Sequence, residues 1–120
     1  MKRAALLRTL KIQSFLEEKN HGDQKRKEKK DSALSMAIEG RIDTTTAPQL
    51  ETELKADLDG VTELRLDFGR VEYISSAGLR VLLSAQKLMN RQGKMALTHV
   101  SESVMEIFEV TGFSDILTIE

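Results

Sequence analysis

Residues 64–83, LRLDFGRVEYISSAGLRVLL, change hydrophobic period in mid-run. Leu64, Leu66 and Phe68 alternate with polar neighbours, the spacing of a half-buried strand, and at Gly69 the chain is expected to turn towards Val71 and Ile74. Beyond Ser75, Ser76, Ala77 and Gly78, the apolar residues Leu79, Leu82, Leu83 and Met89 fall on one stripe of a helix that Gly93 stops. A strand that feeds a helix this directly packs that helix back onto its own sheet. The stretch therefore points to a βαβ-type fold with right-handed crossovers.

The same alternation recurs on both sides. ALSMAIEG (33–40) puts Leu34, Met36 and Ile38 on one strand face and closes at Gly40. RIDTTTAPQLETELKADLDG (41–60) then starts a helix: Thr46 and Gln49 have capping-box spacing, Pro48 suits a first turn, and Ala47, Leu50, Leu54 and Leu58 share a face before Gly60. KMALTHV (94–100) predicts a third strand. SESVMEIFEVTGF (101–113) predicts a third helix, with Ser103 and Glu106 as its capping box, Val104, Ile107 and Phe108 facing inward, and Gly112 ending it. DILTIE (115–120) predicts a closing strand. In such a sheet the functional loops gather where strands end and helices begin, so IDTTTAP and YISSAGL are expected at one edge.

This regular part begins at residue 32. At 120 residues the chain has room for one core, and the residues before it read as a basic N-terminal extension, 1–31. They hold ten Lys and Arg against five Asp and Glu, whereas residues 32–120 hold eight against fourteen. NHGDQKRKEKKDS (20–32) has the character of a solvated linker, and without an aromatic companion its basic run does not favour direct nucleic-acid binding. Ahead of it, Leu6, Leu7, Leu10 and Phe15 have spacing that suits a short helix. No apolar run approaches membrane-spanning length, and the opening MKRAALLRTL is followed by no small-residue cleavage site, so the expectation is a cytoplasmic protein without membrane contact. The absence of cysteine rules out a disulfide framework and thiolate chemistry, and agrees with a reducing compartment.

Enzyme chemistry finds little support. The two histidines are His21 in the linker and His99 in a predicted strand, and neither has a motif partner. No HExxH pair, cysteine cluster or calcium-loop spacing is present, so no metal is expected. ISSAG is not a nucleophile elbow, because Tyr73 and Ile74 stand two residues before Ser75 and Ser76; phosphate-binding glycine loops are also missing. Two readings of the paired serines remain. A hydroxyl could cap the helix by accepting from an N–H of the first turn. Alternatively a serine could carry a phosphoryl group, whose charge a helix start tolerates.

Taken together, EGRIDTTTAPQLE (39–51), LRLDFGRVEYISSAGLRVLL (64–83) and VMEIFEVTGFSDIL (104–117) resemble the STAS domain of bacterial anti-sigma factor antagonists, in the same order and spacing over about residues 32–120. The resemblance implies an α/β fold, a mixed four- or five-stranded sheet with helices mainly on one side. It implies a non-enzyme that works by partner exchange and needs no cofactor. In that family the unphosphorylated antagonist binds an anti-sigma factor that is also a serine kinase, which frees the sigma factor. The kinase phosphorylates the antagonist and weakens the complex; a PP2C-type phosphatase reverses the step.

The family's Asp-Ser-Ser/Thr-Gly-Leu segment falls on Ser75, Ser76, Ala77, Gly78 and Leu79, so the resemblance makes Ser76 the phosphoacceptor. Ser75 stands where the family usually has aspartate, which removes a charge and makes it a minor rival. Gly40, Arg41, Ile42 and Asp43 match the Gly-x-Leu/Ile-Asp segment, which places Asp43 in the neighbouring loop. Asp43, Thr44, Thr45, Ser75, Ser76, Gly78 and Leu79 are thus the expected partner-binding residues. Family members also begin with a short strand; here it falls on the polar DQKRKEKKD as an edge strand, or on part of LKIQSFLEE. A STAS scaffold or transport-complex subunit that is never phosphorylated is the alternative. An enzyme using Ser76 as nucleophile is more distant, since no general base is visible.

Overall fold

The computed structural model describes residues 10–19 and 31–120. Four strands form one mixed sheet in the order β1 (Lys11–Lys19), β2 (Asp31–Ile42), β3 (Glu63–Ile74) and β4 (Lys94–Thr98). β1 runs antiparallel to β2, and the other two pairs are parallel. Parallel neighbours need crossovers, which α1 (Ala47–Asp57) and α2 (Ser76–Gln92) supply; α3 (Glu102–Thr111) follows β4.

Period-two residues of the strands build one face of the core. Leu34, Met36, Ile38, Leu64, Leu66, Phe68, Met95 and Leu97 are all buried, and Leu50, Leu54, Leu82, Met89, Val104 and Phe108 cover them from the helices. Each such side chain contributes on the order of 2 kcal/mol when fully buried. Phe68 and Phe108 meet with ring centroids 6.2 Å apart at a tilt of 51°, tying α3 to the sheet. The opposite sheet face carries exposed Ser35, Ala37 and Glu39 and has no helix over it among the described residues. Helices on one side of a mixed four-stranded sheet agree with the mixed four- or five-stranded sheet that the family resemblance implies.

Several local expectations need correction. The short helix near Leu10 and Phe15 is instead β1, paired along its length from Lys11↔Glu39 to Lys19↔Asp31; Leu6 and Leu7 lie outside the described residues. LKIQSFLEE therefore supplies the first strand, and the sheet draws its edge from the stretch read as an extension. Most of DQKRKEKKD, like His21, lies outside the described residues. β3 does not turn at Gly69 but continues through two register shifts, opposite Ala37/Glu39 and Gly40/Arg41, that keep Val71 and Ile74 pointing into the core. Leu83 and Ile107 are only half-buried.

Helix α3 is capped by Ser101, whose hydroxyl accepts from the Val104 N–H at 3.3 Å, and not through the predicted Ser103 and Glu106 box. Its end at Gly112, with φ 85°, is as expected, since that left-handed conformation disfavours a side chain. The closing strand is reduced to a single parallel bridge, Leu97↔Ile119, after a 3-10 turn over Phe113–Asp115. No helix among the described residues is long and apolar enough to cross a membrane.

Candidate functional site

β2 and β3 end side by side, with Ile42 opposite Ile74, and the Ser75 N–H donates to the Ile42 carbonyl at 2.8 Å. Two strand-to-helix turns, 43–46 and 75–78, therefore leave the sheet from adjacent points on one edge, as the sequence predicts. Below them, on the open face, the Arg41 guanidinium stacks 4.5 Å from the centre of the Tyr73 ring. Arg41 and Tyr73 are cross-strand partners, and only the register brings them together. No local motif signals that pair.

The first turn is closed by its own aspartate. Asp43 Oδ1 accepts from the Thr45 N–H at 3.0 Å, the Thr45 hydroxyl at 2.8 Å and the Thr46 N–H at 3.1 Å. Donation from the Thr45 hydroxyl, and from the backbone N–H groups of Thr46 and Thr45, holds the Asp43 carboxyl below its ordinary value against the opposing effect of burial. Thr46 is buried; its hydroxyl accepts from the Asp43 N–H at 2.8 Å and donates to the Arg41 carbonyl at 2.7 Å. Thr46 does not form the predicted box with Gln49. The Gln49 side chain instead accepts from the Leu10 N–H and donates to the Leu10 carbonyl, each at 3.0 Å, and so fastens β1 to α1. Thr44 and Thr45 are exposed, and Asp43 is half-exposed.

The second turn separates the two serines. Ser75 occupies the cap position of α2 in extended conformation, and its hydroxyl accepts from the Gly78 N–H at 3.3 Å. Ser76 is the first residue of the helix; it is exposed, and no side-chain bond ties it among the described residues. Capping and an available hydroxyl, two readings of one pair in the sequence, thus belong to different residues.

Gly78 and Leu79 are buried beneath this surface. A Cβ on Gly78 would stand 2.6 Å from Ile42 Cγ2 and 2.7 Å from Ile74 Cγ1, so glycine is what lets α2 start this close to both strand ends. Leu79 is 5% exposed and packs in the core. These two, also expected at the partner face, lie beneath the turn and support it from below.

His99, the described histidine, lies elsewhere. Its Nδ1 is 3.1 Å from Asp67 Oδ1, seven positions back along β3 from Ile74, a separation on the order of 20 Å at strand rise. Among the described residues, no side-chain hydrogen bond joins Ser76 to an acid or a base. What the edge does offer is an exposed hydroxyl at a helix start, two exposed threonines and one ionised carboxylate.

The STAS domain family model matches residues 24–120. Among curated relatives, BtrV of Bordetella bronchiseptica is 43% identical over 94 residues, spanning 77% of this chain and 81% of its own. The anti-sigma-B factor antagonist of Bacillus subtilis is 32% identical over 87 residues, spanning 72% and 80%. Among solved structures, an anti-sigma factor antagonist from Mycobacterium paratuberculosis covers 91% of this chain and 85% of its own at TM-score 0.69 and 21% identity. SpoIIAA in its unphosphorylated form covers 73% and 78% at TM-score 0.58 and 16% identity. The structural likenesses establish the fold, and with the family match the conclusion is direct: this chain belongs to the STAS domain family.

Proposed function

We propose that this protein is an anti-sigma factor antagonist in a bacterial partner-switching pathway, that Ser76 is its phosphoacceptor, and that it acts in the cytoplasm without catalysing a reaction itself. The observation that carries the reading is the division of labour between the two serines: Ser75 caps α2, which leaves the Ser76 hydroxyl exposed at the first helical position. The names of the antagonist relatives support the same reading. Unphosphorylated, the edge formed by Asp43, Thr44, Thr45 and Ser76 docks on an anti-sigma factor that is also a serine kinase, and the sigma factor is released.

The kinase then transfers the γ-phosphoryl group of ATP. A bond forms between Ser76 Oγ and phosphorus, the bond to the bridging oxygen of ADP breaks, and the hydroxyl proton passes to a base of the kinase. A PP2C-type phosphatase hydrolyses the ester and resets the protein.

The switch works by charge. A phosphoryl group adds about −1.5 to −2 charges, and the helix start tolerates them, so the fold is kept. The neighbouring turn already carries the ionised Asp43, joined to this one through Ser75 and Ile42. Docking must then desolvate two like-charged groups together. A penalty of about 1.4 kcal/mol already weakens affinity tenfold.

Incubation with the cognate kinase and ATP, followed by mass spectrometry, tests the assignment. Phosphate is expected on Ser76 and is abolished in Ser76→Ala; phosphate on Ser75, or none, overturns it. Ser76→Asp is expected to keep its circular-dichroism spectrum and to lose at least about tenfold in kinase affinity. Tight binding by that variant would remove the charge mechanism.

A further inference from the structure

β1 is an edge strand. Its inner side pairs with β2 from Lys11 to Lys19, and among the described residues no strand takes its outer side, which leaves a row of backbone N–H and C=O groups open to pairing. Two large apolar side chains lie on it: Phe15 is 67% exposed and Leu16 is 54% exposed. We propose that this edge pairs antiparallel with β1 of a second copy of the chain, in the register that sets Ser14 opposite Ser14 of that copy.

The face pattern of the strand restricts the choice. Lys11, Gln13, Phe15 and Glu17 share the open face of the sheet with Ser35 and Ala37, whereas Ile12, Ser14 and Leu16 share the helix-bearing face with Met36 and Ile38. A sheet that continues across the junction keeps each face continuous, so only registers that match like faces are allowed. With Ser14 at the centre, Lys11 stands opposite Glu17, Ile12 opposite Leu16, and Gln13 opposite Phe15, each twice by symmetry. Two opposite-charge pairs and two apolar pairs form together. A slip of two residues breaks both kinds of pair, setting Lys11 against Phe15 in one direction and Gln13 against Glu17 in the other.

Two further observations agree with this register. Glu17 faces Ala33 on β2, so its cross-strand neighbour within the chain is not a cation, and the second copy's Lys11 would supply one. On the open face, a shallow groove of about 530 Å³ is lined by Gln13, Phe15, Ser35 and Ala37. The second copy's Phe15, opposite Gln13, enters that groove. Small residues at positions 35 and 37 are what leave room for it.

The chain has no cysteine, so one substitution reports the contact without background. Opposed residues of an antiparallel pair have Cα atoms about 4.5–5.5 Å apart, within disulfide reach. Under mild oxidation of the full chain, Ser14→Cys is expected to form a disulfide-linked dimer at least about tenfold faster than Thr52→Cys, which sits exposed on α1. Adding Glu17→Lys, which sets like charges opposite each other, is expected to slow that cross-linking by about tenfold and to lower the dimer fraction seen by light scattering. Circular dichroism checks that each variant is folded. Equal cross-linking at residues 14 and 52, a rate indifferent to Glu17→Lys, or a monomeric wild-type protein at high micromolar concentration would each overturn the pairing.

Discussion

The two turns at the sheet edge have the same origin and opposite economies of hydrogen bonding. Both leave a parallel strand, start a helix within a few residues, and are linked by the Ser75 to Ile42 bond. In the first, Asp43 and Thr46 use their polar atoms internally, on Thr45, Arg41 and each other, so the turn is satisfied without a partner. In the second, a single side-chain bond from Gly78 to Ser75 does the capping, and the next residue keeps its hydroxyl for the surface. A turn that consumes its own polar groups serves as a fixed wall. The turn with one hydroxyl left over is where a covalent mark can be added without undoing the fold.

The largest effect should come from disturbing what holds the two turns together. Gly78→Ala places a methyl group against the buried side chains of Ile42 and Ile74, the last residues of both strands, and these or the start of α2 must shift to admit it. Overpacking of this kind costs about 1–3 kcal/mol. Urea denaturation should show the loss, and phosphorylation of Ser76 should slow in the same variant because the acceptor is displaced with the helix start. Unchanged stability would mean that the edge is looser than the contacts imply.

That coupling also explains what could be read from sequence and what could not. Alternation of period gave the order of strands and helices, but the local capping rule, a hydroxyl followed three residues later by a free N–H, left Ser75 and Ser76 both open and pointed to Ser103 where Ser101 caps α3. The rule has limits, because Ser101 and Ser103 both satisfy it on paper, and the helix starts after Ser101, whose hydroxyl accepts from the Val104 N–H. Thr46 and Gln49 fail it for another reason. Gln49 bonds to Leu10, 39 residues away, and Thr46 bonds back to Arg41 and Asp43, so long-range geometry overrides a good local match. β1 was legible only as one of two alternatives that the family resemblance offered, because by period alone Leu10 and Phe15 fit a helix as well as a strand until β2 is there to pair with. Family spacing is what singles out Ser76, and only the folded turn shows that Ser75 does the capping.

The serines offer a sharper, smaller test within the second turn. Ser75→Ala removes the acceptor of the Gly78 N–H and should destabilise the protein by about 1 kcal/mol, while Ser76→Ala, which breaks no bond, should stay within about 0.5 kcal/mol of wild type. Equal losses at both positions would mean that capping is shared and that Ser76 is not free for a kinase.

The smallest effect belongs to the first turn and is read by pH. Because donors from Thr45 and Thr46 favour the charged Asp43, its native pKa lies below its unfolded one, and the carboxylate binds fewer protons folded than unfolded across the interval between them. Its contribution to stability is therefore complete above the ordinary aspartate value of about 3.9 and is lost as pH falls through the depressed native value. Asp43→Asn keeps an oxygen acceptor but gives up the charge, so its stability deficit at pH 7 should shrink steadily below pH ~4. The half-exposed position and added salt keep that deficit small. Kinase binding should respond in the other direction: if the Asp43 charge is what a phosphate on Ser76 is set against, the Ser76→Asp variant should recover part of its affinity when Asp43→Asn is added. A double variant that binds as weakly as Ser76→Asp alone would show that desolvation of the new charge, and not its neighbour, operates the switch.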